Sequence, residues 1–165
     1  MNEFIKLPAT ERKNYITFHE HSYRDNLNHA EKNMLEFPRW SVISGYYAMH
    51  DVTKLFLGKQ YNIKVSAPDI HAKTIEALEA CIKEEEVKKR LLTLLKEAKE
   101  IYFSVERLKE RVLPAMLRKG RQERGSSQYY TEDYSKRAPI DSRKASYFFE
   151  TIVKPYVRLI EELMA

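Results

Sequence analysis

Eighteen consecutive residues, Trp40 to Leu57, read WSVISGYYAMHDVTKLFL, and twelve of them are apolar or glycine. The apolar positions cover every face of a helix rather than one stripe, and such a helix must be enclosed by others. Pro38 suits a first-turn position and Gly58 a left-handed C-terminal cap, so the run predicts one helix of about five turns. Its length would suit a membrane span, but Arg39, His50, Asp51 and Lys54 lie in or beside it. Charged side chains are costly in hydrocarbon. The expectation is the central helix of a bundle that has no membrane partner.

The rest of the chain supplies the enclosing helices. Its 165 residues suit one domain, 1–165, with a core of its own. Four glycines and six prolines are too few for a many-turned sandwich or barrel, and nineteen Glu against five Asp favour helix. Thr10 is a candidate N-cap for a first helix of Glu11 to Glu36, with Ile16, Tyr23, Leu27, Ala30 and Met34 on one face and Pro38 as its stop. After a loop of Lys59 to Ser66, Ser66 and Asp69 form a capping-box pattern for a third helix to about Ile82. From Glu84 to Val112 an apolar stripe of Leu91, Leu94, Leu95, Ala98, Ile101, Tyr102, Val105, Leu108 and Val112 predicts the longest helix, ended or kinked by Pro114. Arg118 to Ile140 has no apolar period and reads as a loop. Asp141 or Ser142 then caps a last helix that buries Phe148, Ile152, Tyr156, Leu159 and Leu163 and is kinked by Pro155. The fold class is all-α: an antiparallel four- to five-helix up-and-down bundle with a long basic loop before its last helix.

The net charge of +5 is unevenly spread. Arg118 to Lys144 holds eight Lys or Arg against four Asp or Glu, together with three tyrosines. Within it, RKGRQERGSSQYY joins guanidinium groups, glycines and adjacent aromatic rings. Arg118, Arg121 and Arg124 could grip phosphate while Tyr129 and Tyr130 stack on bases, the combination that binds RNA or a nucleotide. A second candidate is Arg24 with His29 on the first helix, where a histidine could move protons and an arginine hold a scissile phosphate. His50, beside Asp51 on the central helix, is the third, and is most simply a satisfied core histidine. His19 and His21 lie two apart on a helix and do not face one another, so chelation is not expected. With no Gly-rich phosphate loop, no Cys–His spacing and no nucleophile elbow, no cofactor or metal is expected. The single cysteine, Cys81, excludes an internal disulfide framework and suits a reducing, cytoplasmic setting. No signal peptide is read at the N-terminus.

The order of these features resembles the HEPN domain family, named for higher-eukaryote and prokaryote nucleotide binding. The likeness spans roughly Thr10 to Leu163. It rests on SYRDNLNHAEKNM in the first helix, SGYYAMHDVTKLFL in the second, a long helix before a basic loop, and SRKASYFFETIV opening the last helix. The resemblance implies a helical bundle that dimerises. It implies either a metal-independent ribonuclease with an Arg-x4–6-His motif, or a member that binds RNA, a nucleotide or a nucleotidyltransferase partner in a toxin–antitoxin or defence pair. In the region matching the motif, Arg124 takes the arginine position but Tyr129 stands where the family has histidine. A tyrosine, with a pKa near 10, is a poor general base at neutral pH.

Binding of RNA or nucleotide is therefore the first reading. The alternatives are an endoribonuclease using Arg24 or Arg124 with His29 or His50, and a structural module whose basic loop orders on an acidic partner. Two long helices and an apolar central one carry more apolar stripe than a core of this size needs, and a two-fold homodimer is expected to cover it. Sedimentation should show the dimer at tens of micromolar; a monomer at that concentration would refute it.

Overall fold

The computed structural model describes residues 4–119 and 140–165, with side chains for residues 4–105 and 140–165. The chain is an all-α bundle. Its helices are α1 (Ala9–Lys32), α2 (Pro38–Tyr61), α3 (Ile70–Cys81), α4 (Glu85–Lys119) and a last helix, α5. α5 is α-helical over Ser142–Tyr147, π-helical over Phe148–Val153 and α-helical again over Lys154–Met164. Among the described residues the only extended pairing is one antiparallel bridge, Lys6 with Ile63, where the sequence YNIKVS alternates. No described helix is long and apolar enough to cross a membrane.

α2 is enclosed as its composition demands, touching all four other helices. Val42, Ala48, Met49, Val52 and Leu57 are wholly buried. α1 lies antiparallel along it, and the register can be read from hydrogen bonds. Arg12 reaches the carbonyls of Gly58 at 2.7 Å and Lys59 at 3.0 Å. Farther along α1, His19 meets Asp51, His29 meets Ser44, and the Ala30 carbonyl accepts from Ser41. On the opposite side of the core, Thr53 gives its hydroxyl proton to the Met49 carbonyl and so accepts from Tyr156 of α5 at 2.6 Å.

Several ends differ from what the sequence predicts. α2 does not stop at Gly58 but runs to Tyr61, and the left-handed cap is Asn62, at φ 56°. The guanidinium of Arg12 takes the carbonyls that the end of α2 leaves open, and its charge suits that end of the helix dipole. Gly58 is instead a place of close approach, where an added Cβ would come within 3.0 Å of the Tyr15 ring. α1 starts after Pro8, whose φ is already helical, so Thr10 falls inside the first turn rather than capping it. It ends at Lys32, with the Asn33 side chain on the His29 carbonyl. Asp69 is itself the last residue before α3, in the left-handed region at φ 57°, and cannot hold the third helical position that a capping box needs.

The prolines act in two ways. α4 continues through Pro114 to Lys119 rather than ending there. Residues 120–139, most of the expected basic loop, lie outside the described residues. In α5, Asp141 caps as expected, accepting from the Lys144 amide. Ahead of Pro155 the helix widens instead of simply kinking, and the Lys154 amide bonds the Phe149 carbonyl five residues back. The wider turn accommodates a ring that would otherwise press on the carbonyl one turn earlier. It also puts Phe148, Phe149, Ile152 and Val153 together into the core.

Gly45 of α2 lies against that widened turn, and a Cβ there would sit 3.0 Å from Val153 and 3.2 Å from Phe148. Both neighbours are fully buried and have little room to yield. Gly45→Val should therefore cost about 2–3 kcal/mol despite the better helix propensity of valine. Urea unfolding with a midpoint equal to the parent's would contradict this.

Candidate functional site

His50 and Asp51 are adjacent on the buried helix, so their side chains point to different sides of α2 and each needs its own partners. Asp51 faces α1. Its Oδ1 is 2.8 Å from Nδ1 of His19, and its Oδ2 accepts from Ser22 at 2.7 Å and Asn26 at 3.1 Å. Those three residues, at spacings of three and four, form one stripe of α1. Burial pushes the carboxyl up, but the hydrogen bonds from His19, Ser22 and Asn26 more than offset it and hold Asp51 below the usual carboxylate range.

His50 faces α3 and α4. Its Nε2 is 3.1 Å from Nδ1 of His71, which stands in the first turn of α3, and its Nδ1 is buried without a hydrogen-bond partner. The Tyr46 hydroxyl, one turn back on α2, is 2.5 Å from the same His71 Nδ1. Rings close around this group. Tyr46 stacks on Tyr102 of α4 with centroids 4.2 Å apart, His71 meets Phe103 edge-on at 5.5 Å, and the Tyr47 and Tyr102 hydroxyls are 3.3 Å apart. Two amines stand at its border. Lys99 lies 5.5 Å from the Phe103 ring centre, and Lys54 is one turn beyond His50 on α2. Neither has a carboxylate within ion-pair distance among the described residues.

The electrostatics follow from this packing. Burial, His71 and Lys54 depress His50 from its ordinary 6.5 to about 3. Burial, Lys99 and Lys54 depress His71 as well, and burial holds Tyr46 in its neutral form. Both imidazoles are thus neutral at pH 7. Tyr46 can then donate its proton to the Nδ1 lone pair of His71, with His50 Nε2–H as a second, longer donor. This leaves a bare lone pair on His50 Nδ1, which costs less than a stranded N–H. It also fixes the tautomer of His71, whose other nitrogen, Nε2, carries a proton and has no partner among the described residues. His71 is a hydrogen-bond donor, not a base.

The other candidate residues stand apart from this group. Arg24 is exposed, 3.2 Å from Glu20 and 5.7 Å from the Tyr23 ring centre. His29 bonds Ser44 of α2 at 2.5 Å. Arg24, His29 and His50 therefore have separate partners, and no shared contact brings Arg24 to either histidine. Arg118 belongs to the last turn of α4; its side chain, and all of Arg121, Arg124, Tyr129 and Tyr130, lie outside the described residues. No cluster of three or more His, Cys, Asp or Glu able to hold a metal occurs among the described residues. In the sequence, Lys54 counts only as a charge against a membrane span and Tyr102 only as a core position, and neither Lys99 nor His71 is singled out. The available signal was the HD pair itself, since two polar residues on an otherwise apolar helix require polar answers from two neighbouring helices.

A histidine held neutral by burial makes the fold acid-sensitive. Unfolded His50 takes a proton near pH 6.5, whereas the folded group resists it down to about 3. Its contribution to stability is complete above pH 6.5 and is lost as the pH falls toward 3, at up to about 1.4 kcal/mol per pH unit. His71 adds in the same direction. His50→Phe, which keeps the edge contact with Tyr46, should remove most of this slope. Urea denaturation of both proteins between pH 4 and 7 tests it, and equal slopes would refute the assignment.

Comparison with protein-family models, with curated proteins and with solved structures found no match for the chain; what the site can do is read from its own geometry.

Proposed function

We propose that the chain is a HEPN-like protein that binds RNA or a nucleotide rather than cleaving it. The observation that carries this reading is the face shared by α2, α3 and α4, where the exposed Tyr47 adjoins Tyr102, Phe103 and a donor-locked His71, flanked by Lys54 and Lys99. Aromatic rings beside amines that have no ion-pair partner among the described residues suit stacked bases and phosphates. α4 then runs on from this face to Arg118, where the sequence becomes RKGRQERGSSQYY. Arg118, Arg121 and Arg124 extend the phosphate contacts, and Tyr129 and Tyr130 extend the stacking.

A cleaving enzyme needs a proton acceptor next to a phosphate clamp. Tyr129 in the histidine position, His50 depressed to about 3, and separate partners for Arg24 and His29 all favour binding over that chemistry. In the cell, the protein would act as a homodimer beside a nucleotidyltransferase, in a toxin–antitoxin or defence pair, a role that the family resemblance alone suggests.

Affinity for single-stranded RNA should fall with salt by a slope of about −0.7 per phosphate engaged, or near −2 for three arginines. Arg121→Ala with Arg124→Ala should flatten it by about 1.4, while Tyr129→Ala should weaken binding with the slope nearly unchanged. Fluorescence anisotropy across a salt series measures both. Equal binding by parent and double variant would remove the basic segment from the interface.

A further inference from the structure

Lys54 of α2 and Lys99 of α4 both lie within electrostatic reach of His71 of α3, and Lys99 stands by the ring that His71 touches. Each of the three is placed for a local reason. Lys54 follows His50 by one turn on α2 and is half-buried, so its ammonium is partly stripped of water and its pKa lowered. Lys99 is laid toward α3 over the Phe103 ring, and that ring meets His71 edge-on. His71 is turned by Tyr46 and His50 so that its protonated Nε2 is the nitrogen left over. Asp51, the acid that acts on Lys54, is directed to α1 by His19, Ser22 and Asn26. The result is two cations and a neutral N–H donor with no acceptor committed to them among the described residues, beside Tyr102 and Phe103.

Unpaired, half-buried amines destabilise a fold unless an anion satisfies them. Two positive charges match a phosphate monoester, which carries about −1.5 to −2 at pH 7, better than the single charge of an internal phosphodiester. Because the imidazole is held in one tautomer, it adds a hydrogen bond without competing for a proton. We propose that Lys54, Lys99 and the Nε2–H of His71 form a subsite for a terminal phosphate, the monoester of a nucleotide or of an RNA end. Tyr46 and His50 are its positioning residues. The proposal rests on the nucleotide- or RNA-binding reading above and names the group recognised.

The test compares ligands that differ only in that group: one short single-stranded RNA with a 5′-phosphate or a 5′-hydroxyl, and AMP with adenosine. The phosphorylated form should bind about tenfold tighter, as a charge-assisted hydrogen bond provides. Lys54→Gln with Lys99→Gln should abolish that preference, leaving the urea midpoint equal to or above the parent's. A preference seen with RNA and AMP alike assigns the subsite to any nucleotide monoester; one confined to RNA assigns it to a strand end. Equal affinity for phosphorylated and unphosphorylated ligands, or a preference that survives in the double variant, overturns the subsite. If both RNAs bind equally and with steep salt dependence, the RNA-binding reading stands without it. If no ligand binds, both fall.

Discussion

An apolar helix enclosed on every side cannot leave its few polar groups to water, and the arrangement of this protein follows from that requirement on α2. Its apolar residues are covered by α1, α3, α4 and α5, but His50 and Asp51 are carried into the interior with them. A buried carboxylate must be hydrogen-bonded and a buried imidazole must be neutral or paired. α1 answers the first with the His19, Ser22 and Asn26 stripe, which also fixes its register along α2. The first turn of α3 answers the second with His71, and α4 closes the group with Tyr102 and Phe103.

The two sides of α2 are satisfied to different degrees. Around Asp51 each oxygen has a partner, and Arg24 and His29 are occupied elsewhere on α1. Around His50 the network stops short among the described residues: Nδ1 is orphaned, Nε2 of His71 has no partner there, and two lysines border the group with no acid within ion-pair distance. The first network is complete and holds α1 to α2; the second ends in donors without a partner among the described residues, which the proposed phosphate would supply. The depressed pKa values of both histidines keep them neutral, which suits them to hydrogen bonding rather than to taking up protons.

How much of this was legible beforehand depended on the range of the interaction. The all-round apolar run announced the enclosed helix, and the 3.6-residue stripes announced its neighbours, because both periodicities are local properties of the backbone. Asp141 was readable as a cap for the same reason. Asn62 was not, because the preference of Gly58 for a left-handed turn is indistinguishable, in sequence, from its use under the Tyr15 ring. The capping-box pattern of Ser66 and Asp69 failed likewise, since whether Asp69 sits before or inside α3 depends on where α3 docks. Pro155 signalled a disturbance in the last helix, but not its form, a π-helical stretch that buries four residues, two of which lie against Gly45.

By itself the sequence determined an all-helical bundle, its central member and most of its helix spans, since hydrophobic period and proline chemistry act within a few residues along the chain. Only the tertiary structure decided which histidine is paired with which group. His50 lies 21 residues from His71, and His19 lies 32 from Asp51. No spacing rule connects positions on different helices; their meeting depends on helix register, and burial then sets their charge. The same holds for Lys54 and Lys99, which no spacing in the sequence links and which the packing of α2, α3 and α4 brings within electrostatic reach of His71.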